Sequence, residues 1–351
     1  EKTSKEMKLF NREQAIANSS FTKTAEKFDK MSDSFGKFGM GMQSIGRNMS
    51  MYVTTPVVGA LGASTKAVID FDSAMAGVNK TVDLSASEYK KMSDDIVNMS
   101  KKLPDATTDI AAVAESAGQL GIKKSAILDF TKTVIDLGES TNLTREQAAT
   151  EFARFANIVD MPQKSFDQLG SSIVALGNTT ATTESEIMSM SMRIAAQGKL
   201  VNMSESDITA LAATMSSLGI EAEAGGTAMT TVLKKIDKAV GYGGEALQEF
   251  ADASGVSAKE FKKQWEEDPI KALDSFIGGL SESKKEGANL SNILADLGIK
   301  GIRESDTILR MANNHKLLGQ SVKTSGKAWK ENKALTKEAN QRYKTMASQI
   351  Q

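Results

Sequence analysis

The sequence predicts an all-α protein: a compact multi-helix domain flanked by long amphipathic or coiled-coil helices. Three observations predict it. Only four prolines occur (Pro56, Pro104, Pro162, Pro269), and between them apolar residues recur every three or four positions, the helical period rather than the period of two of strands. Capping-box spacings mark helix starts at Ser85-Ala-Ser-Glu88, Thr144-Arg-Glu-Gln147, Thr183-Glu-Ser-Glu186 and Ser257-Ala-Lys-Glu260. There each hydroxyl can accept an orphan N–H while the later side chain reaches back. Helix stops follow the pattern Leu-Gly-Ile at 120–122, 218–220 and 297–299, where glycine takes the left-handed cap and isoleucine supplies its apolar contact.

Taken in order, the N-terminal segment 1–52 is a heptad helix. Met7, Phe10, Gln14, Ala17, Phe21, Thr24, Phe28, Met31, Phe35, Phe38, Met42, Ile45, Met49 and Tyr52 alternate spacings of three and four without a slip. Such a seam serves self-association, or else it lies on the chain's own core. Gly36, Gly39, Gly41 and Gly46 each cost about 1 kcal/mol relative to Ala in a helix, and Phe and Met knobs specify oligomer state poorly. Metastability is therefore expected at 28–52. Residues 53–70 form an apolar Thr-Pro segment. With Val53, Pro56, Val57, Val58 and Leu61 it is a candidate membrane segment, within the stretch 48–69, although Asn48, Pro56, Gly59, Gly62 and several hydroxyls argue against a constitutive span.

Residues 71–240 read as a compact helical domain. The sets Ile110, Val113, Ala117, Leu120; Ala148, Phe152, Phe155, Val159; Phe166, Leu169, Ile173, Leu176; and Ile208, Leu211, Met215, Leu218 each form one apolar stripe on a short helix. None is stable alone, so they must pack on one another. Gly-Tyr-Gly-Gly-Glu at 241–245 is expected as a hinge, 241–317 as a smaller helical satellite, and 318–351 as the start of a continuing helix with Leu335, Ala339, Tyr343, Met346 and Ile350 along one side.

Composition excludes several function classes. The 43 Lys plus Arg and 44 Asp plus Glu leave a net charge of −1, so no global field holds nucleic-acid phosphates, and no base-reading element is present. With no cysteine and a single histidine, His315, disulfide, thiolate and His-cluster metal chemistry are not expected. His315 is expected near a helix end, capping carbonyls or in solvent. The P-loop spacing in Gly-Met-Gln-Ser-Ile-Gly-Arg-Asn (41–48) lacks the Lys-Ser/Thr that phosphate and magnesium need. No GxSxG, HExxH or selected carboxylate pair appears, so no catalytic, cofactor or metal residue is assigned, and the protein is read as a non-enzyme. The chain opens on Glu1 rather than Met, as expected of a piece of a longer product, and no secretory signal opens it.

Two motifs carry a family resemblance. Thr55-Pro56 followed by Phe71-Asp72-Ser73-Ala74-Met75, and Gly225-Gly226-Thr227-Ala228-Met229 after Gly219-Ile220, resemble the core region of tailed-phage tape measure proteins in order and spacing. The middle stretches 114–122 and 187–220 also look like that family. The resemblance implies a structural protein of a phage tail or tail-like particle. Members lie in the tube lumen, set tail length during assembly in the host cytoplasm, and are expelled on infection to help the genome across the host envelope. The implied partners are the chain itself as a trimer or hexamer, the tail tube, the tail-tip or baseplate hub proteins, and the host membrane after ejection. Sequence-specific nucleic acid and cofactors are not among them. Two other readings stay open: a membrane-active helical protein using residues 48–69, and a peptidoglycan-cleaving tail enzyme.

Overall fold

The computed structural model describes residues 65–350 apart from Pro104. The heptad seam from Met7 to Tyr52, the glycines within it, the P-loop-like stretch 41–48 and the apolar segment up to residue 64 lie outside the described residues. Among the described residues the fold is all-α: sixteen α-helices, two short 3-10 turns and no strand.

Contacts divide the chain into two compact units at Thr131/Lys132. The first contains α1 (Thr65–Val82), α2 (Ala86–Ser100) and α3 (Thr107–Gln119), and ends within α4 (Ile127–Ser140). Helix α1 buries Phe71, Met75, Val78 and Val82, a spacing of four, three and four that puts one stripe on one face. The helix starts at Thr65, so the 70/71 boundary drawn from the sequence falls inside it. Helix α3 packs on α1 where Gly118 faces Thr81 and Val82 and Glu115 faces Gly77, and it buries Ile110, Ala111, Ala114 and Ala117. Of the expected stripe, Ile110 and Ala117 are fully buried and Val113 and Leu120 half-buried. At Gly118 a Cβ would sit 2.8 Å from Val82 Cγ2.

The second unit holds the rest of α4 and α5 (Arg145–Val159), α6 (Phe166–Gly177), α7 (Glu184–Leu200), α8 (Glu205–Ser217) and α9 (Ala222–Tyr242). After these come α10 (Gly244–Ala253), α11 (Ala258–Glu267), α12 (Pro269–Lys285), α13 (Leu290–Asp296), α14 (Ile302–Asn313), α15 (Lys316–Glu331) and α16 (Ala334–Ile350). The expected stripes Ala148/Phe152/Phe155/Val159 and Phe166/Leu169/Ile173/Leu176 are buried throughout. Helix α8 is the centre: every residue from Ile208 to Met215 is buried, and α6, α7, α14 and α15 all pack on it. A helix so enclosed needs no polar face, which is why its sequence, Ile-Thr-Ala-Leu-Ala-Ala-Thr-Met, has almost none.

Residues 71–240 thus contribute to both units, and α10 to α14 pack in the second. Phe250 meets Phe276 edge-on at 5.5 Å and stacks on Phe261 at 6.3 Å, while Trp265 Nε1 donates to Asp237 Oδ1 on α9 at 3.2 Å. The Arg310 guanidinium donates to Leu218 O at 3.3 Å, tying α14 to the end of α8.

The local signals act as their chemistry dictates. Full capping boxes form at Ser85, Thr144 and Thr183, with a fourth at Ser204-Glu-Ser-Asp207; Ser257 accepts the Glu260 N–H at 3.2 Å. The backbone N–H groups of Ser85 and Thr183 hold the carboxyls of Glu88 and Glu186 below the usual range. Gly121, Gly219 and Gly298 have φ of 81°, 67° and 72°, and the isoleucine after each donates its N–H five residues back, to Ala117, Met215 and Leu294. Those isoleucines are buried, so each stop also closes an apolar contact.

Candidate functional site

The family-motif residues are packing residues at helix crossings. In the first unit Phe71 and Met75 are fully buried, Ala74 is half-buried, and Asp72 lies beside Tyr89 of α2, whose hydroxyl is 3.5 Å from Asp72 Oδ1. Burial pushes the Asp72 carboxyl up, partly offset by that hydroxyl, and burial together with the Asp72 charge pushes the Tyr89 phenol up. The pair is a half-buried tie between α1 and α2.

In the second unit Gly225, Gly226, Ala228 and Met229 are buried in the first turns of α9. A Cβ on Gly226 would overlap the Arg193 side chain of α7, and one on Gly225 would overlap Ile220. The glycine pair therefore sets how closely α9 approaches α7 and how tightly Ile220 folds back. Thr227 is exposed and donates to Glu223 O at 2.9 Å, a helix back-bond that uses its one hydroxyl donor. The two motifs are placed by different units and do not converge on a common pocket within either.

Carboxylates meet in two places in the second unit. Asp207 is raised by burial and by the charges of Asp268 and Glu205, against the pull of its Ser204 cap bonds. Glu184 is raised by burial and also feels Glu338. Asp207 and Asp268 accept cap bonds at the starts of α8 and α12, and Glu184 is the first residue of α7. Helix starts satisfy these acids, so they read as caps and not as a general acid and base. Among the described residues no three His, Cys, Asp or Glu side chains are placed to hold a metal ion, and no helix is long and apolar enough to cross a membrane. His315 opens α15, half-buried, its Nδ1 3.1 Å from Ser281 Oγ of α12. A depression on α15 is lined by Val322, Lys323, Gly326, Lys327, Lys330 and Glu331. A groove made by one helix has no opposing wall to enclose a small molecule.

What remains is surface and seam. Leu200, Tyr242 and Ile302 are 74%, 80% and 88% exposed at the ends of α7 and α9 and the start of α14; Lys238 Nζ lies 5.6 Å from the Tyr242 ring centre. Single exposed apolar residues are ordinary, so these are contact points at most.

The seam was not legible in the sequence. Helix α15 docks on α6 and α8 through Leu318, Ser321, Ser325 and Ala328, and the serines are as buried as the leucine. Ser325 Oγ donates to Ser206 O at 2.8 Å and lies 3.1 Å from Thr209 Oγ1, while Ser172 Oγ donates to Ser325 O at 3.1 Å. Serine at core positions makes a helix look solvated. Only the spacing of 318, 321, 325 and 328 could have revealed it.

The sequence profile described as "Phage-related minor tail protein" matches residues 93–298, more than half the chain and across both units. The match takes in the second motif and begins after the first. Among curated proteins the chain is similar to the "Tape measure protein" of Pneumococcus phage Dp-1, 22% identical over 228 residues. That alignment covers 62% of this chain and 19% of the relative, so the chain spans about a fifth of that protein's length. No solved structure matches. Because the match covers more than half of the chain, from within α2 to the stop at Gly298, the chain belongs to the family of phage-related minor tail proteins.

Proposed function

We propose that the chain is the folded part of a tape measure protein: a non-enzymatic structural segment that lies in the lumen of a phage tail tube, sets tail length with the rest of its polypeptide, and is expelled on infection to assist passage across the host envelope. The observation that carries the reading is the similarity to a phage tape measure protein within a chain that belongs to the minor tail family. The partners it requires are further copies of the chain, the tail tube and the tip hub, and its place is the virion tail.

Geometry supports a division of labour within that role. A helix rises about 1.5 Å per residue, so the longest described helix, α9 with 21 residues, is only about 32 Å long. Helices this short, folded back on one another, are unsuited to measuring a tube. The measuring length is assigned to sequence outside residues 65–345, and the described units are assigned to a terminal or tip-proximal role. Residues 1–52 supply the self-association seam in this scheme.

Deleting 100 helical residues of the parent protein outside residues 65–345 is expected to shorten tails by about 150 Å in electron micrographs. Tails of unchanged length would defeat the length-setting role. Self-association is read separately: sedimentation of a peptide covering residues 1–55 should show oligomers, and a strict monomer at high concentration would remove the seam from the proposal.

A further inference from the structure

We infer that the junction between α15 and α16 is a conformational latch, held open by α6, that on release closes α15 and α16 into one continuous helix. The inference stands on the hydrogen bonds of the second unit and does not depend on the tail reading.

The first observation is register. Positions 318, 321, 325, 328, 332, 335 and 339 alternate spacings of three and four without interruption, although the helix is broken at 332–333. Leu318, Ser321, Ser325, Ala328, Leu335 and Ala339 are all buried. In a helix continuous through the middle this register would place all seven positions on one face. From Trp329 to Ile350 there is neither glycine nor proline to stop a helix.

The second observation is what holds the break. Asn332 adopts φ 47° and ψ 48°, a left-handed conformation unfavourable for any residue with a Cβ and least so for Asn and Asp. A continuous helix would bond the Lys333 N–H to Trp329 O and the Leu335 N–H to Glu331 O. Here Gln168 Nε2 donates to Trp329 O at 3.3 Å, and the Leu335 N–H donates to Ser171 Oγ at 3.4 Å. Side chains of α6 thus stand in at both places. The same helix grips Asn332 itself: Ser171 Oγ donates to Asn332 Oδ1 at 3.1 Å, and Asn332 Nδ2 donates to the Asp167 carboxylate.

The third observation is the character of the other docking contacts, which are largely hydroxyl bonds: Ser325 to Ser206 O, Ser172 to Ser325 O, and the Tyr343 hydroxyl of α16 to Asp136 Oδ1 at 2.7 Å. The face of α15 is hydroxyl-lined, and Ser321 Oγ is buried with no hydrogen-bond partner. A face of that kind loses less on entering water than a leucine face does. Residues 316–350 as one helix would be about 52 Å long.

Because the chain has no cysteine, two spin labels can be placed cleanly at the exposed positions Gln320→Cys and Lys344→Cys in the full chain. Twenty-four residues of continuous helix separate the labelled backbones by about 36 Å, and the broken form is shorter. The wild-type background should show mainly the shorter distance. Asn332→Ala, which removes both the grip and the residue most tolerant of the left-handed turn, should raise the fraction near 36 Å about tenfold. Asn332→Gly, which loses the same grip but favours the turn, should raise it far less. A single unchanged distance in the alanine variant would overturn the latch, as would equal shifts in the two variants or a loss of helix content without the long distance.

Discussion

Helices α8 and α15 touch along much of their length and occupy the same interior, yet they are built on opposite principles. Helix α8 buries every residue from Ile208 to Met215, so its place is fixed by apolar area removed from water on all sides. Helix α15 buries one stripe, half of it serine, and is positioned by hydroxyl-to-carbonyl bonds to α6 and α8. Apolar burial gives strength without direction. Hydrogen bonds give direction at about 1 kcal/mol each, because water competes for the same groups. The centre of the unit is therefore rigid by area, and its C-terminal strap is specific without being strong.

Substitutions on each side break or sharpen that contrast. Leu211→Ala in α8 should cost the most, about 3 kcal/mol, because the surrounding helices cannot collapse onto the vacated volume; urea unfolding measures it. Ser325→Ala should cost about 1 kcal/mol, through Ser206 O losing one of its two hydroxyl donors while Thr209 Oγ1 remains at 3.0 Å, and Thr209→Val/Ser325→Ala should depart from the sum of the single changes only if the two hydroxyls act as one network. Ser321→Ala should go the other way and stabilise by about 1 kcal/mol, since it removes a buried hydroxyl that has no partner. A cost at Ser321 equal to that at Ser325 would erase the distinction between bonded and orphan serines.

The smallest effect is expected from pH at the start of α8. Burial, with Asp268 and Glu205 nearby, raises the Asp207 carboxyl in the folded chain, so the folded state binds its proton more tightly than the unfolded state. The stability this contributes is full below the unfolded value near 3.9 and is lost as pH rises through the higher folded value. Asp207→Asn, which keeps an acceptor for the cap, should therefore be more stable than the parent at neutral pH, with the advantage vanishing at pH 3 in thermal unfolding. An advantage independent of pH would assign the effect to the cap bond and not to charge.

How much could be read from the sequence divides along the same line. Helix starts at Thr144 and Thr183, and stops at Gly121, Gly219 and Gly298, depend on residues within five positions, and their chemistry is local. Stripes of large residues such as Phe152 and Phe155 carry their burial in their own composition. On α3 the part of the contact outside the apolar stripe was not legible, because Gly118 matters only through the closeness of α1. The α15 seam was missed for the same reason: a serine is a core residue only where a distant carbonyl awaits it. The family resemblance is supported, with only the second motif inside the matched residues, and the motif residues lie at crossing points, where Gly226 yields to Arg193, and not on a surface that receives a ligand.

The partners in that seam also lie far apart in the chain, Ser172 and Ser325 being separated by 153 residues. The groove between α6 and α8 needs both helices, and Ser206 precedes Ser325 by 119 residues, so on a ribosome adding about 5–20 residues per second it waits roughly 6–24 s for the helix that fills it. An oily groove exposed for that long would recruit other nascent chains. One edged with Ser171, Ser172, Ser206 and Thr209 stays wetted until its own helix is synthesised, so the hydroxyls that weaken the finished seam protect the unfinished one.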